Sequence, residues 1–181
     1  MSLREDIETV LFSEDEIRTR AQELGAQITR DYAEMDSDPV VIALLRGSVP
    51  FLTDLIKYID LDIQYDFMDV TSYSGTRTTG DIKILKDLDT SVVGRDVLIV
   101  EDIVDSGYTI HAVRDLLMKR EARSVKVVSL LDKPGSRVVN ESPEYVGFEV
   151  GNQFVVGYGM DFNQHYRCLP FIGVLKEELY R

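Results

Sequence analysis

With one cysteine, Cys168, in 181 residues, the chain has no partner for an intrachain disulfide. No apolar run approaches the roughly 18 residues that span a bilayer. Met1–Asp6 lacks the basic-then-apolar layout of a secretory signal. These absences together predict a cytoplasmic protein with no membrane partner. Cationic residues are scarce as well: 20 Lys and Arg stand against 32 Asp and Glu, a formal charge of −12. That balance excludes a broad basic face for neutralising nucleic-acid phosphates, so no nucleic-acid partner is expected. It leaves room for a small phosphorylated ligand that arrives as a magnesium complex and is held by backbone amides and a few local cations. His111 and His165 are not at metal-ligand spacing, and no repeat, low-complexity tract or linker divides the chain. A single domain able to bury a real core follows from the length.

Ser13-Glu14-Asp15-Glu16 has the form of a capping box, opening a helix that runs to about Glu34 with Ile17, Ala21, Leu24 and Ile28 on one face. Val40–Leu45 is an unbroken apolar run, which predicts a strand buried on both faces. Pro50 opens a second helix carrying Phe51, Leu52, Leu55, Ile56 and Ile59, and Leu61–Val70 alternates as a longer strand. Ser72–Gly80 is rich in turn formers and has no apolar period, so a mobile loop is expected there. Strands are predicted at Ile82–Leu85, Val97–Val100, Val125–Leu131, Val146–Phe148 and Phe154–Val156, and helices at Ile110–Lys119 and Val174–Tyr180. Buried strands alternating with helices predict an α/β fold, a mostly parallel sheet covered on both faces. In such sheets ligands sit beyond the carboxyl ends of the strands.

The segment from Val97 to Thr109 carries most of the chemistry. An apolar strand is followed by two adjacent carboxylates, Glu101 and Asp102. Three residues beyond Asp102, the turn Asp105-Ser106-Gly107-Tyr108-Thr109 opens a helix. Such a turn exposes unpaired amides at the positive end of a helix dipole and so cradles phosphate. Gly107 permits close approach of a ligand, while Ser106 and Thr109 add hydroxyl donors. Glu101 and Asp102 can accept hydrogen bonds from vicinal ribose hydroxyls or bear on magnesium, which prefers oxygen ligands. An acidic pair alone also occurs in receiver domains, and an Asp-Ser-Gly turn alone is often only a helix cap. The two together at this spacing are far more specific.

This segment resembles the phosphoribosyl-pyrophosphate motif of type I phosphoribosyltransferases. Its wording, Glu101-Asp102-Ile103-Val104-Asp105-Ser106-Gly107, is similar to that of the hypoxanthine-guanine enzymes, not the adenine, orotate or uracil ones. The likeness extends from about Val40 to Arg167. Leu44-Leu45-Arg46-Gly47-Ser48 resembles the pyrophosphate loop, and Ser72-Tyr73 resembles the start of the flexible lid. Leu130-Leu131-Asp132-Lys133 resembles the segment bearing the base-recognising lysine. Phe154–Asp161 resembles the hood over the purine, with Tyr166-Arg167 following. Arg46 stands where lysine is more usual, which keeps the charge and changes its geometry, and Tyr108 is a bulky residue within the phosphate turn.

The resemblance implies the type I phosphoribosyltransferase fold, with a core over about residues 35–140 and a hood built from the N-terminal segment and about 141–181. It also implies transfer of a phosphoribosyl group from phosphoribosyl pyrophosphate to hypoxanthine or guanine, with Mg2+ as cofactor and a homodimer or homotetramer as the assembly. Asp105 is then the general base, and Asp105, Ser106, Gly107, Tyr108 and Thr109 hold the 5'-phosphate. Glu101 and Asp102 take the ribose hydroxyls and magnesium. Arg46, Gly47 and Arg167 hold pyrophosphate. Lys133, Phe154, Val155 and Asp161 bind the base, with Asp161 also at a second magnesium. A cis Leu45–Arg46 peptide is implied too. Two rival readings are a uracil-type enzyme or RNA-binding operon regulator on the same fold, and a phosphate-binding module without turnover. The net charge of −12 and the pairing of Lys133 with Phe154 weigh against the first.

Overall fold

The computed structural model describes residues 2–35, 38–72 and 82–181. In chain order the elements are β1 (Ile7–Phe12), α1 (Glu14–Tyr32), β2 (Val40–Leu44), α2 (Val49–Leu55), β3 (Gln64–Ser72) and β4 (Ile82–Lys86). There follow β5 (Asp96–Val104), α3 (Tyr108–Lys119), β6 (Ser124–Asp132), β7 (Tyr145–Glu149), β8 (Val155–Val156) and β9 (Ile172–Leu175). Among the described residues no helix is long and apolar enough to cross a membrane.

The main sheet has six strands in the order β4-β3-β2-β5-β6-β7, with β4 antiparallel at its edge and the other pairs parallel. Its centre is made from the apolar runs. In β2, Val41 and Ala43 face α1 and α2, where they meet Ile17, Leu24, Phe51 and Leu55. Val40, Ile42 and Leu44 face the other way, toward the Ile110, Val113 and Leu117 stripe of α3. Period-two alternation in a strand with both faces covered leaves no polar position, hence the unbroken run. The capping box at Ser13 forms as the sequence predicts: Glu16 N–H donates to Ser13 Oγ at 3.3 Å, and Ser13 N–H donates to the Glu16 carboxylate at 2.8 Å.

Two expectations are corrected. The strand predicted at Val97–Val100 continues to Val104, because Ile103 and Val104 still pair with Leu131 and Asp132 of β6. Ladder bonds are made by backbone, so polar side chains at Glu101 and Asp102 do not end them. Val174–Tyr180 is not a helix: Ile172–Leu175 is the central strand of a second, antiparallel sheet in the order β1-β9-β8, followed only by a single 3-10 turn at Glu177–Leu179. A Cβ on Gly173 would come within 2.5 Å of Ile7 Cγ2, so this strand is pressed against β1. The Ile7–Phe12 strand was not foreseen in the sequence.

Candidate active site

At the carboxyl end of β5 the chain turns through Asp105-Ser106-Gly107 into α3. Gly107 is the N-cap residue, with φ of 86°, a left-handed conformation that glycine adopts without steric cost. Among the described residues the N–H groups of Asp105, Ser106 and Gly107 donate to no group, and Tyr108, Thr109 and Ile110 open the helix with no partner from a preceding turn. Six amides without a partner among the described residues thus lie along this turn and the first turn of α3. The Asp105 carboxylate is exposed and accepts no hydrogen bond among the described residues, so the helix-cap alternative for its side chain has no support.

Two clefts meet at this turn. One is lined by Leu45, Glu101, Asp105, Ser106, Gly107 and Thr109. The other is lined by Asp102, Asp105, Lys133, Phe154, Val155 and Asp161. Adjacent residues of a strand point to opposite faces, so Glu101 borders the first cleft and Asp102 the second. Asp105 borders both. Burial, and then the neighbouring Asp102 charge, push the Glu101 carboxyl well above the usual carboxylate range. Asp102 Oδ1 accepts the N–H of Ile103 at 2.8 Å, leaving its second oxygen toward Gly47. Among the described residues no cluster of three or more His, Cys, Asp or Glu could hold a metal ion by itself. The donor set of Glu101 and Asp102 nevertheless suits magnesium, which takes one or two carboxylates and completes its shell with substrate oxygens and water.

The loop after β2 closes the floor. Its Leu45–Arg46 peptide is cis, as the family resemblance implies. A Cβ on Gly47 would fall 1.7 Å from Asp102 Oδ2, so any larger residue here would have to turn that carboxylate aside. The Arg46 side chain is exposed and has no ion-pair or hydrogen-bond partner among the described residues. Ser72 ends β3, while Tyr73 and the rest of the expected lid to Gly80 lie outside the described residues.

On the other side, Lys133, the residue after β6, is buried, its Nζ donating to the Gln153 carbonyl at 2.9 Å. Phe154 is stacked on Tyr180 with centroids 4.9 Å apart and makes a T-shaped contact with Phe162. Val155 is in register with Val174 of β9. Asp161 and Arg167 are brought together with each other: a 2.7 Å ion pair joins them, and Arg167 also donates to the Gly159 carbonyl at 2.7 Å. Arg167 borders neither cleft. Two residues near the site were missed in the sequence. Asp132 is buried at the end of β6, and Arg137 bonds both to its carboxylate and to the Asp105 carbonyl. Opposite charges bracketing the Pro134-Gly135 turn were the available signal.

A family model for the phosphoribosyl transferase domain matches residues 13–163. The chain is 51% identical over 179 residues to the hypoxanthine-guanine phosphoribosyltransferase of Bacillus subtilis, covering 98% of each. It is 51% identical over 180 residues to the bifunctional protein TilS/HprT of Listeria monocytogenes, where 99% of this chain spans 28% of that protein. A hypoxanthine phosphoribosyltransferase structure from Staphylococcus aureus superposes with a TM-score of 0.94 at 44% identity, covering 99% of this chain and 97% of that one. A parallel sheet with a free amide cradle at the end of β5, an acidic pair beneath it and relatives alike along the whole described fold leave one assignment: the chain belongs to the phosphoribosyl transferase family, among its hypoxanthine-guanine members.

Proposed function

We propose that this protein transfers the 5-phosphoribosyl group of phosphoribosyl pyrophosphate to hypoxanthine or guanine, giving IMP or GMP and pyrophosphate. The observation that most supports this is Asp105 standing between the two clefts, one suited to a sugar phosphate and the other to a flat base. In this reading the amides of residues 105–109, with the Ser106 and Thr109 hydroxyls, take the 5'-phosphate. Glu101 and Asp102 accept from the ribose hydroxyls. The base lies between Phe154 and the Val155 backbone, with Lys133 donating to its 6-oxygen. Asp105 accepts the ring proton as N9 attacks the anomeric carbon, so the base becomes a better nucleophile as the bond to pyrophosphate breaks. Arg46 and the Gly47 amide face the departing pyrophosphate, and Arg167 joins them if its pair with Asp161 opens. Glu101 and Asp102 would hold one magnesium ion and Asp161 a second, and the metal would supply charge neutralisation to that leaving group. The homodimer or homotetramer rests on the resemblance, and the cytoplasmic location on the sequence composition alone.

The test is direct. The protein is incubated with magnesium and phosphoribosyl pyrophosphate, each base is supplied in turn, and nucleotide is measured. Hypoxanthine and guanine should be converted, and adenine and uracil should not. Binding without turnover of any base would leave the phosphate-binding module; turnover of uracil alone would leave the pyrimidine reading.

A further inference from the structure

Three consecutive carbonyls of the phosphate turn are pinned from behind by one segment. Lys133 N–H donates to the Val104 carbonyl at 2.9 Å, Arg137 Nη1 to the Asp105 carbonyl at 2.6 Å, and the N–H groups of Val138 and Val139 to the Ser106 carbonyl at 3.0 and 3.3 Å. These peptides are trans, so each carbonyl points opposite to the N–H of the next residue. Pinning the carbonyls of Val104, Asp105 and Ser106 therefore aims the N–H groups of Asp105, Ser106 and Gly107 into the cleft. The outer two carbonyls are held by backbone. The middle one is held by a side chain.

That side chain is itself fixed. The second terminal nitrogen of Arg137 bonds to the Asp132 carboxylate, and both side chains are largely buried, at 13% and 9% exposure. Its methylene stem packs against the turn as well, since a Cβ on Gly107 would come 3.0 Å from Arg137 Cδ. With its charge neutralised by Asp132, Arg137 offers the cleft little field of its own. What it supplies is the orientation of one peptide. We infer that Arg137, anchored by Asp132, is a positioning residue that aims the Ser106 amide at the 5'-phosphate of phosphoribosyl pyrophosphate. This rests on the transfer reading above.

Arg137→Met keeps the stem and removes the fork. Losing one well-aimed donor to a charged group should weaken phosphoribosyl pyrophosphate by about tenfold or more. The loss should be read both in its KM and in calorimetric binding without base. The KM for hypoxanthine at saturating phosphoribosyl pyrophosphate should stay within about twofold, because Lys133 and Phe154 are untouched. General loosening of the fold would move both. Arg137→Lys, which keeps the charge beside Asp132 but not the planar fork, should fall between parent and Arg137→Met. If Arg137→Met does not fold, the double variant with Asp132→Asn removes the stranded carboxylate and carries the same expectation. Unchanged affinity for phosphoribosyl pyrophosphate in a folded variant, or an equal rise in both KM values, would overturn the inference. A parent that made no nucleotide would sink the transfer reading instead, and the calorimetric comparison would still decide on Arg137.

Discussion

Asp105 combines exposure, a free carboxylate and a position bordering both clefts. Asp105→Asn keeps shape and polarity but cannot accept the proton. Its kcat should fall by about 10²-fold or more while both KM values change little. Parent-like turnover in that variant would assign the base elsewhere. In the proposed reaction Lys133 would set the choice of purine by counting donors: an ammonium has three and no acceptor. It is buried, and the Gln153 carbonyl already takes one of them. A 6-oxygen completes a charge-assisted bond, whereas a 6-amino group sets donor against donor. Sites of this kind reject the wrong analogue by roughly 10⁴-fold. Lys133→Gln can present either an oxygen or a nitrogen, so it should slow hypoxanthine and narrow the gap to adenine. A variant that still rejected adenine as strongly as its parent would move discrimination to the Val155 backbone. Both residues were visible in the sequence because their neighbours along the chain carry the motif. Arg137 was not, since it acts through a backbone carbonyl that no residue type announces.

Among the elements, β5 is the one on which the site depends, and its entrance is as specified as its exit. Asp96, buried at its first position, is held by the Arg123 guanidinium and accepts from Ser124 Oγ at 2.6 Å, tying β5 to β6 at the end remote from the clefts. The Arg123 bonds, and then the Ser124 hydroxyl, hold its carboxyl below the usual range despite burial. A carboxyl depressed in the folded state binds its proton more weakly there than in the unfolded chain. The stabilisation is therefore fully present above the unfolded value of about 3.9 and is lost as pH falls through the folded value. Asp96→Asn should cost about 1–3 kcal/mol at neutral pH, a drop of several degrees in Tm. The difference from the parent should shrink as pH falls below about 4. A gap independent of pH over that window would mean that Asp96 acts by packing and not by charge. The core of this strand was legible because a strand buried on both faces has no polar residues to interrupt it. Its last four residues were not, because Glu101 and Asp102 break the apolar pattern while the ladder to β6 continues beneath them.

At the scale of the molecule, two sheets of different character meet over the site, and the sequence reveals them unequally. The parallel sheet declares itself in local runs. The smaller sheet depends on Ile7–Phe12 pairing with Ile172–Leu175, near the opposite end of the chain. Strand identity of that kind comes from a partner and not from local propensity, which is why Val174–Tyr180 has the pattern of a helix. The turn Gly157-Tyr158-Gly159-Met160, which follows β8 of the smaller sheet, reaches the elements around β2, and its Tyr158 hydroxyl bonds to Asp54 of α2. Gly159 has φ of 99°, and a Cβ there would lie 2.0 Å from the Gly47 carbonyl and 2.9 Å from Pro50 Cδ. Backbone thus rests on backbone, at the loop that faces the leaving pyrophosphate in the proposed reaction. Gly159→Ala must strain its own conformation and push the Gly47 loop toward Asp102. It should cost about 2 kcal/mol or more in urea denaturation. The KM for phosphoribosyl pyrophosphate should rise with it, even under conditions where the variant is fully folded. Gly135→Ala is the matched control: its Cβ would meet only Asn152 Oδ1 at 3.7 Å, an ordinary contact. That change should stay within about 0.5 kcal/mol and leave the KM alone. If Gly159→Ala lost stability while a folded sample kept the parent KM, the second sheet would cover the site without shaping the pyrophosphate loop. A rise in KM confined to Gly159→Ala would make the contact between the two glycines part of how the substrate is held.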